Sequence, residues 1–193
     1  MKIAILGWGS LLWDCRPEFD EQRGQWQIEG PVLRLEFSRI SKSRDGALTL
    51  VIDEQYGQLC QVAYALSKRK RPEDAIADLR SREGTTVANI GAFYVHAKNK
   101  QTRSPDALAA IDLWATLNSL DVVVWTSLES NFSAKNRIGV GLSFSVENAI
   151  CHLQALSPAA RAKAAEYVSR SPDFIDTPLR RALQSEPWFI TST

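Results

Sequence analysis

Histidine is scarce in this chain: only His96 and His152 occur in 193 residues. Metal centres built on several histidines are excluded, and a serine or cysteine nucleophile paired with histidine must use one of these two. Cysteine is equally sparse. Cys15, Cys60 and Cys151 are odd in number, widely spaced and without a C-x-x-C pair. They form neither a disulfide framework nor a zinc motif, and they fit a reducing, cytoplasmic compartment. No apolar run is long enough to span a bilayer. The first one, residues 3–6, stops at Gly7 with no small-residue cleavage site, so neither a membrane segment nor a secretory leader is expected. An excess of charge of one sign is also missing, since 23 Lys and Arg against 22 Asp and Glu leave a formal net charge of +1. Such a balance draws in neither nucleic acid nor an anionic membrane.

What remains is an ordinary globular composition, 45% hydrophobic and 23% charged, long enough for one domain over residues 1–193 with a buried core. Residues 2–6 read as a short buried strand, and 14–30 as a long irregular loop. Three strand-like runs follow, at Val32–Ile40, at 47–52 after an Asp45-Gly46 turn signal, and at 58–66 after Gly57. Their close spacing suggests an antiparallel meander. A helix fits Pro72–Arg82, with proline in the first turn, Glu73 and Asp74 at its positive end, Arg80 and Arg82 in the last turn and Gly84 just beyond. Residues 90–96 are another strand. Ser104-Pro105-Asp106 opens a helix over Ala107–Leu117, in which Trp114 reads as core. Residues 121–126 form a strand whose unbroken apolar run Val122–Trp125 marks it as central. In the last third, Val146, Ile150 and Leu153 share a helix face. Ser157-Pro158 and Thr177-Pro178 each read as an N-cap followed by proline at the first helical position. These helices are expected to pack on one side of the sheet. Strands first and helices later is an α+β pattern, with a sheet-containing core over about 1–130 and a helical extension over about 145–193.

The first strand runs into Gly7-Trp8-Gly9-Ser10-Leu11-Leu12-Trp13. Two glycines around one large residue permit backbone angles barred to other residues and leave amide groups uncovered for a carboxylate or carbonyl oxygen. The dinucleotide fingerprint fails because Leu12 stands where the third glycine belongs. A phosphate-binding P-loop fails because no Gly-Lys-Ser/Thr follows. The nucleophile elbow fails in register, because Trp8 precedes Gly9-Ser10. A plain tight turn after the strand is the alternative.

Glu83 ends the first helical pattern, Pro72–Arg82. It reads either as a solvated end residue paired with Arg80 or Arg82, or as a functional carboxylate. A negative charge beside the negative end of a helix is disfavoured by about 0.3–1 kcal/mol when exposed, and that field raises the carboxylate's pKa, as suits a general base. Lys68-Arg69-Lys70-Arg71 reads as a solvated loop before the helix, with contact to nucleic acid or an acidic partner as the alternative. Lys42 and Arg44 read as a surface turn, with contact to an anionic substrate group as the alternative. The strand end at Trp125-Thr126-Ser127 continues to Ser130-Asn131-Phe132, and polar strand ends of this kind line pockets, which makes Asn131 a candidate substrate contact. Cys15 lies beside the glycine turn without a pairing histidine.

The run Ile5-Leu6-Gly7-Trp8-Gly9-Ser10-Leu11-Leu12-Trp13 resembles the Tyr-Gly-Ser-Leu signature that opens γ-glutamylcyclotransferases, most closely in their glutathione-acting branch. The apolar strand at 30–37, a strand ending in Asp53 and the run 62–66 occur in that family's order. Leu79-Arg80-Ser81-Arg82-Glu83-Gly84-Thr85 then resembles the family's Leu-Asp-x-x-Glu-Gly segment, which carries its catalytic glutamate. The resemblance covers about the first 130 residues. Residues 131–193 are similar to helical tails of bacterial members and carry no functional assignment.

The resemblance implies a mixed or antiparallel sheet, or a small barrel, with flanking helices. It implies cyclisation of a γ-glutamyl group to 5-oxoproline with release of an amine or peptide, the substrate's own α-amine being the nucleophile. No cofactor and no metal are implied; the expected partner is a small γ-glutamyl compound. Glu83 is the implied general acid and base. Gly7, Trp8, Gly9, Ser10, Leu11 and Leu12 are the implied substrate-binding turn, the Gly9–Leu11 amides facing the carbonyl oxygen and Ser10 Oγ the α-carboxylate. Trp8 stands where the family has tyrosine. Arg80 stands where it has aspartate, placing positive charge near Glu83. A non-catalytic member of the same fold, binding a small molecule or a protein, is the alternative.

Overall fold

The computed structural model describes residues 1–135 and 139–190; the last three residues of the expected helical extension lie outside them. The chain is mixed α+β, with a five-stranded mixed sheet, a three-stranded antiparallel sheet and helices along the chain. The first strand, β1 (Ile3–Gly7), is buried at every position. The last, β8 (Val122–Thr126), lies parallel to it, Ile3 opposite Val122 and Ile5 opposite Val124. β5 (Ala63–Leu66) pairs antiparallel with the other edge of β1. β6 (Ile90–Tyr94) pairs antiparallel with β8, and the short β7 (Asn99–Gln101) pairs with β6. The order is β5-β1-β8-β6-β7, so the unbroken apolar run of β8 does occupy the centre. Apolar side chains are required on both of its faces, because both are covered.

The second sheet joins β2 (Val32–Ile40), β3 (Leu48–Ile52) and β4 (Gln58–Gln61) in the order β3-β2-β4. This is not the expected meander, in which β3 would be central. β4 returns to the far edge of β2 because it continues, after Val62 alone, into β5 and its pairing with β1. A single extended stretch thereby serves both sheets.

Alternation along β1 and β8 divides the core. Ile3, Ile5, Val122 and Val124 face α2 (Pro72–Arg82) through Ala75 and Leu79. Ala4, Leu6, Val123 and Trp125 face a larger cluster shared with β2, β3 and the C-terminal helices. Those helices are α4 (Val146–Gln154), α5 (Pro158–Ser169), α6 (Pro178–Leu183) and α7 (Pro187–Ile190). The helical extension therefore belongs to the main core. Its caps are those expected: Ser157 Oγ accepts from Ala160 N and Thr177 Oγ1 from Arg180 N. α3 (Ala107–Leu117) also forms where the sequence places it, but Trp114 is only half-buried, its indole N–H donating to the Glu29 carbonyl at 2.8 Å. The loop expected over 14–30 contains a short helix, α1 (Pro17–Asp20), whose Phe19 plugs the smaller core. Proline at its first position and the Asp20 carboxylate bound to Arg16 N at 2.7 Å explain why it forms.

No helix among the described residues is long and apolar enough to cross a membrane.

Candidate functional site

Parallel pairing brings the C-terminal ends of β1 and β8 side by side, and a cavity of about 550 Å³ opens beyond them. Ligands commonly sit beyond the carboxyl ends of parallel strands, where the chain leaves the sheet in diverging loops. Trp8, Ser10 and Leu11 enter the cavity from the end of β1, Thr126, Leu128 and Asn131 from the end of β8, and Glu83 from the end of α2. The two segments singled out by the sequence, 7–13 and 83–84, thus meet.

Glu83 is placed by the way α2 stops. It is the C-cap, its N–H bonded to the Leu79 carbonyl at 3.0 Å. Gly84 follows at φ +57°, Gly84 N donates to Ser81 O and Thr85 N donates to Arg80 O. This is the Schellman termination, which requires a left-handed residue directly after the cap. The Glu-Gly spacing is therefore what turns the carboxylate off the helix axis and into the cavity, where its side chain is 19% exposed. Burial raises the Glu83 pKa above the ordinary carboxylate range, opposed first by Arg82 and then by Arg44. The direction agrees with expectation, but burial is the leading cause. Arg80, expected to supply the opposing charge, is exposed; Arg82 and Arg44 supply it.

Arg82 fastens the site together. Its side chain, 5% exposed, donates to the backbone carbonyls of Ser10 at 3.1 Å and Asp14 at 2.8 Å. The same guanidinium lies 3.5 Å from the Asp14 carboxylate and 3.7 Å from that of Glu83. The turn after β1 is thereby bolted to the end of α2, which a helix-end arginine read from sequence alone did not reveal.

The turn itself, Gly9–Leu11, is one turn of 3-10 helix. Gly9 takes φ +57°, and a Cβ there would lie 2.7 Å from the Tyr167 hydroxyl. Gly7 has no positive φ; it is glycine because the Trp26 ring lies 2.6 Å from where a Cβ would stand. Trp8 is buried and donates its indole N–H to the Leu50 carbonyl at 3.2 Å, forming a wall between β1 and β3. Gly7, Gly9 and Leu12 shape the turn but do not line the cavity; Trp8, Ser10, Leu11 and Asn131 do. The Asn131 amide group pairs with both backbone atoms of Ile40, accepting from N at 2.7 Å and donating to O at 3.1 Å. Its evident task is to hold the segment after β8 against the end of β2.

Tyr167 comes from α5, in the stretch that carried no functional assignment. It is 5% exposed and lines the cavity. Its oxygen accepts from Leu50 N at 3.4 Å. A phenol oxygen that accepts an N–H bond still has its own proton to give, and such chains polarise the donor. Burial pushes the Tyr167 pKa up, which keeps that proton in place. Arg44 covers the ring, its guanidinium carbon 4.7 Å from the ring centroid and 5.8 Å from that of Trp13. The only hint of Tyr167 in the sequence is an aromatic on the face that Ala160, Ala164 and Val168 bury. Small alanines let the helix approach, and nothing local says toward what.

The cavity is basic, lined by Arg16, Arg39, Lys42, Arg44 and Arg82 against Asp14 and Glu83. Lys42 and Arg44, read first as a surface turn, are part of its rim. Cys15 is exposed next to the lining residues Asp14 and Arg16. No group of His, Cys, Asp and Glu among the described residues has the arrangement of a metal site. In the basic run 68–71, Arg69 forms two bonds with Asp78, at 2.7 and 3.0 Å, and Lys68 binds the Glu21 carbonyl. These are local structural contacts. No family model matches the chain, and neither does any curated protein or solved structure. Function must be argued from the cavity.

Proposed function

We propose that this protein is a γ-glutamylcyclotransferase-like enzyme that cyclises a γ-glutamyl group to 5-oxoproline and releases an amine or peptide. The observation that carries the reading is that Glu83 and, from the turn after β1, Ser10 and Leu11 line one cavity of about 550 Å³, a volume that admits a small γ-glutamyl compound. A protein-binding member of the same fold would need neither an open cavity nor Glu83 turned into it.

The substrate enters as an α-ammonium, which loses one proton to water to become a nucleophile. The α-nitrogen then attacks the γ-carbonyl carbon and the amide C–N bond breaks. Glu83 takes a second proton from the attacking nitrogen and returns it to the departing nitrogen, ending as the carboxylate it began as. Negative charge on the carbonyl oxygen is met by a fixed donor, the Tyr167 hydroxyl, itself held by the Leu50 amide. The α-carboxylate lies one carbon from the amine and so near Glu83, where Arg44 is the matching charge. The fold that confines the chain between Trp8 and Tyr167 brings amine and carbonyl together.

The test is 5-oxoproline release from glutathione, γ-glutamyl dipeptides and γ-glutamyl amines. Glu83→Gln is expected to lower kcat by about 10²- to 10⁴-fold, the usual worth of a general acid–base. Because Glu83 must be ionised and its pKa is raised, kcat/KM should rise with pH through a limb above the ordinary carboxylate range. Equal release by wild type and Glu83→Gln would remove Glu83 from the mechanism. Release from none of these compounds would favour a binding protein of the same fold.

A further inference from the structure

The cavity has a second end that the cyclisation does not use. The charges acting on Glu83 are Arg82, Arg44, Asp14 and Arg16. Those acting on Arg39 are Glu129 and Arg103. Both Glu83 and Arg39 line the same cavity, so it runs between two distinct charge environments. Arg39 is half-buried on the end of β2, and its guanidinium donates to the Glu129 carbonyl at 2.6 Å. Beside it, Ser130 Oγ bonds to the Ser38 carbonyl and the Asn131 amide group to Ile40. These bonds tie the loop after β8 to β2 and bring Arg39 next to the end of β8.

Thr126 is the last residue of that strand. It is 7% exposed and lines the cavity, and among the described residues no donor or acceptor partners its hydroxyl. A buried hydroxyl without a partner costs stability, and such groups are rare in folded proteins unless something else binds them. Asn89 and Thr85 also line the cavity, bonded to each other at 2.8 Å.

We infer that Arg39 and Thr126 form a second anion subsite, which takes a carboxylate carried by the leaving group. This rests on the cyclotransferase reading for the orientation of the substrate. The α-amine and α-carboxylate stay at the Glu83 end, because the attacking nitrogen must reach Glu83. Whatever hangs on the far side of the scissile amide then points toward Arg39 and Thr126. The enzyme is accordingly selective for γ-glutamyl peptides and amino acids over γ-glutamyl amines that lack a carboxylate.

Two substrates that differ only in that charge test it: γ-glutamylglycine and γ-glutamylglycinamide. In wild type the ratio of their kcat/KM values should be roughly tenfold or more in favour of the acid, the worth of one charge-assisted hydrogen bond. Arg39→Gln should bring the ratio near one, Arg39→Lys should keep part of it, and Thr126→Val should reduce it severalfold. Thr126→Val also removes an unsatisfied hydroxyl at constant shape, so its melting temperature should equal or exceed that of wild type; it remains informative if Arg39→Gln fails to fold. A wild-type ratio near one, or a ratio untouched by both substitutions, overturns the subsite. Binding of N-acetylglycine against N-acetylglycinamide, followed by NMR titration, separates the two claims. If neither substrate is turned over but wild type binds N-acetylglycine selectively and the Arg39→Gln and Thr126→Val proteins do not, the subsite stands and the cyclotransferase reading falls. If neither turnover nor selective binding is seen, the subsite falls as well.

Discussion

Gly9 and Gly84 share a backbone angle and differ in surroundings, which allows strain and collision to be separated. Both hold φ +57°. A Cβ at Gly84 meets nothing within 4 Å, whereas a Cβ at Gly9 lies 2.7 Å from Tyr167 Oη and 3.4 Å from its ring carbon. Gly84→Ala therefore carries the cost of a left-handed L-residue alone, about 1–2 kcal/mol. Gly9→Ala carries the same cost and must also push Tyr167 away. That ring cannot simply turn aside, since it packs edge-on against Phe37 and Trp13, with centroids 6.1 and 6.0 Å apart, under Arg44. Overpacking of this kind costs a further ~1–3 kcal/mol, so Gly9→Ala should lose roughly twice what Gly84→Ala loses. Urea unfolding followed by tryptophan fluorescence reads both. In a Tyr167→Phe background the colliding oxygen is gone, and the excess at position 9 should largely vanish as a coupling energy. Equal losses for the two alanines, or an excess that survives Tyr167→Phe, would refute the view that the turn and the tyrosine are built on each other.

Arg82→Met leaves the Ser10 and Asp14 carbonyls without their buried donor and should destabilise the protein by about 2–4 kcal/mol in the same assay. Since Arg82 is also the strongest influence lowering the Glu83 pKa, the acid limb of kcat/KM should move to higher pH in this variant; an unmoved limb would mean that another charge sets it. Glu36 offers a pH prediction remote from the cavity. It is fully buried, accepts from Phe37 N, Thr177 Oγ1 and Leu179 N, and burial raises its pKa above the usual 4.5. The folded state holds this proton more tightly than the unfolded one, so the stabilisation is full below about pH 4.5 and is lost as pH rises through the raised folded value. Unfolding free energy measured across that window should fall less steeply in Glu36→Gln, and an identical slope would show that other groups govern it.

Local chemistry explains what could be read in advance. α2, α3 and the caps of α5 and α6 are written in short-range signals such as proline at the first helical position, a hydroxyl before it and glycine after the end. The central place of β8 followed from Val122–Trp125, because a strand covered on both faces has no polar side to show. The meander suggested by close strand spacing does not form, because strand order depends on where a chain returns, and β4 is drawn across β2 by its continuation into β5. α1 was missed because four residues carry too little periodicity to announce a helix.

The candidate site divides along the same line. From sequence alone came the turn at Gly7–Trp13 and the Glu83-Gly84 pair, two segments whose backbone demands are local: one left-handed glycine each, and a helix end that must stop. Their meeting depended on β1 pairing parallel with β8 and on Arg82 reaching the carbonyls of Ser10 and Asp14, contacts about seventy residues apart in the chain. Tyr167, Arg44, Arg39 and Thr126 became functional candidates only in the fold. A phenol in an alanine-rich helix, an arginine in a turn and a threonine at a strand end acquire meaning from what faces them. Burial, charge pairing and an unmet hydroxyl are properties of the assembled cavity, and no single stretch of chain contains them.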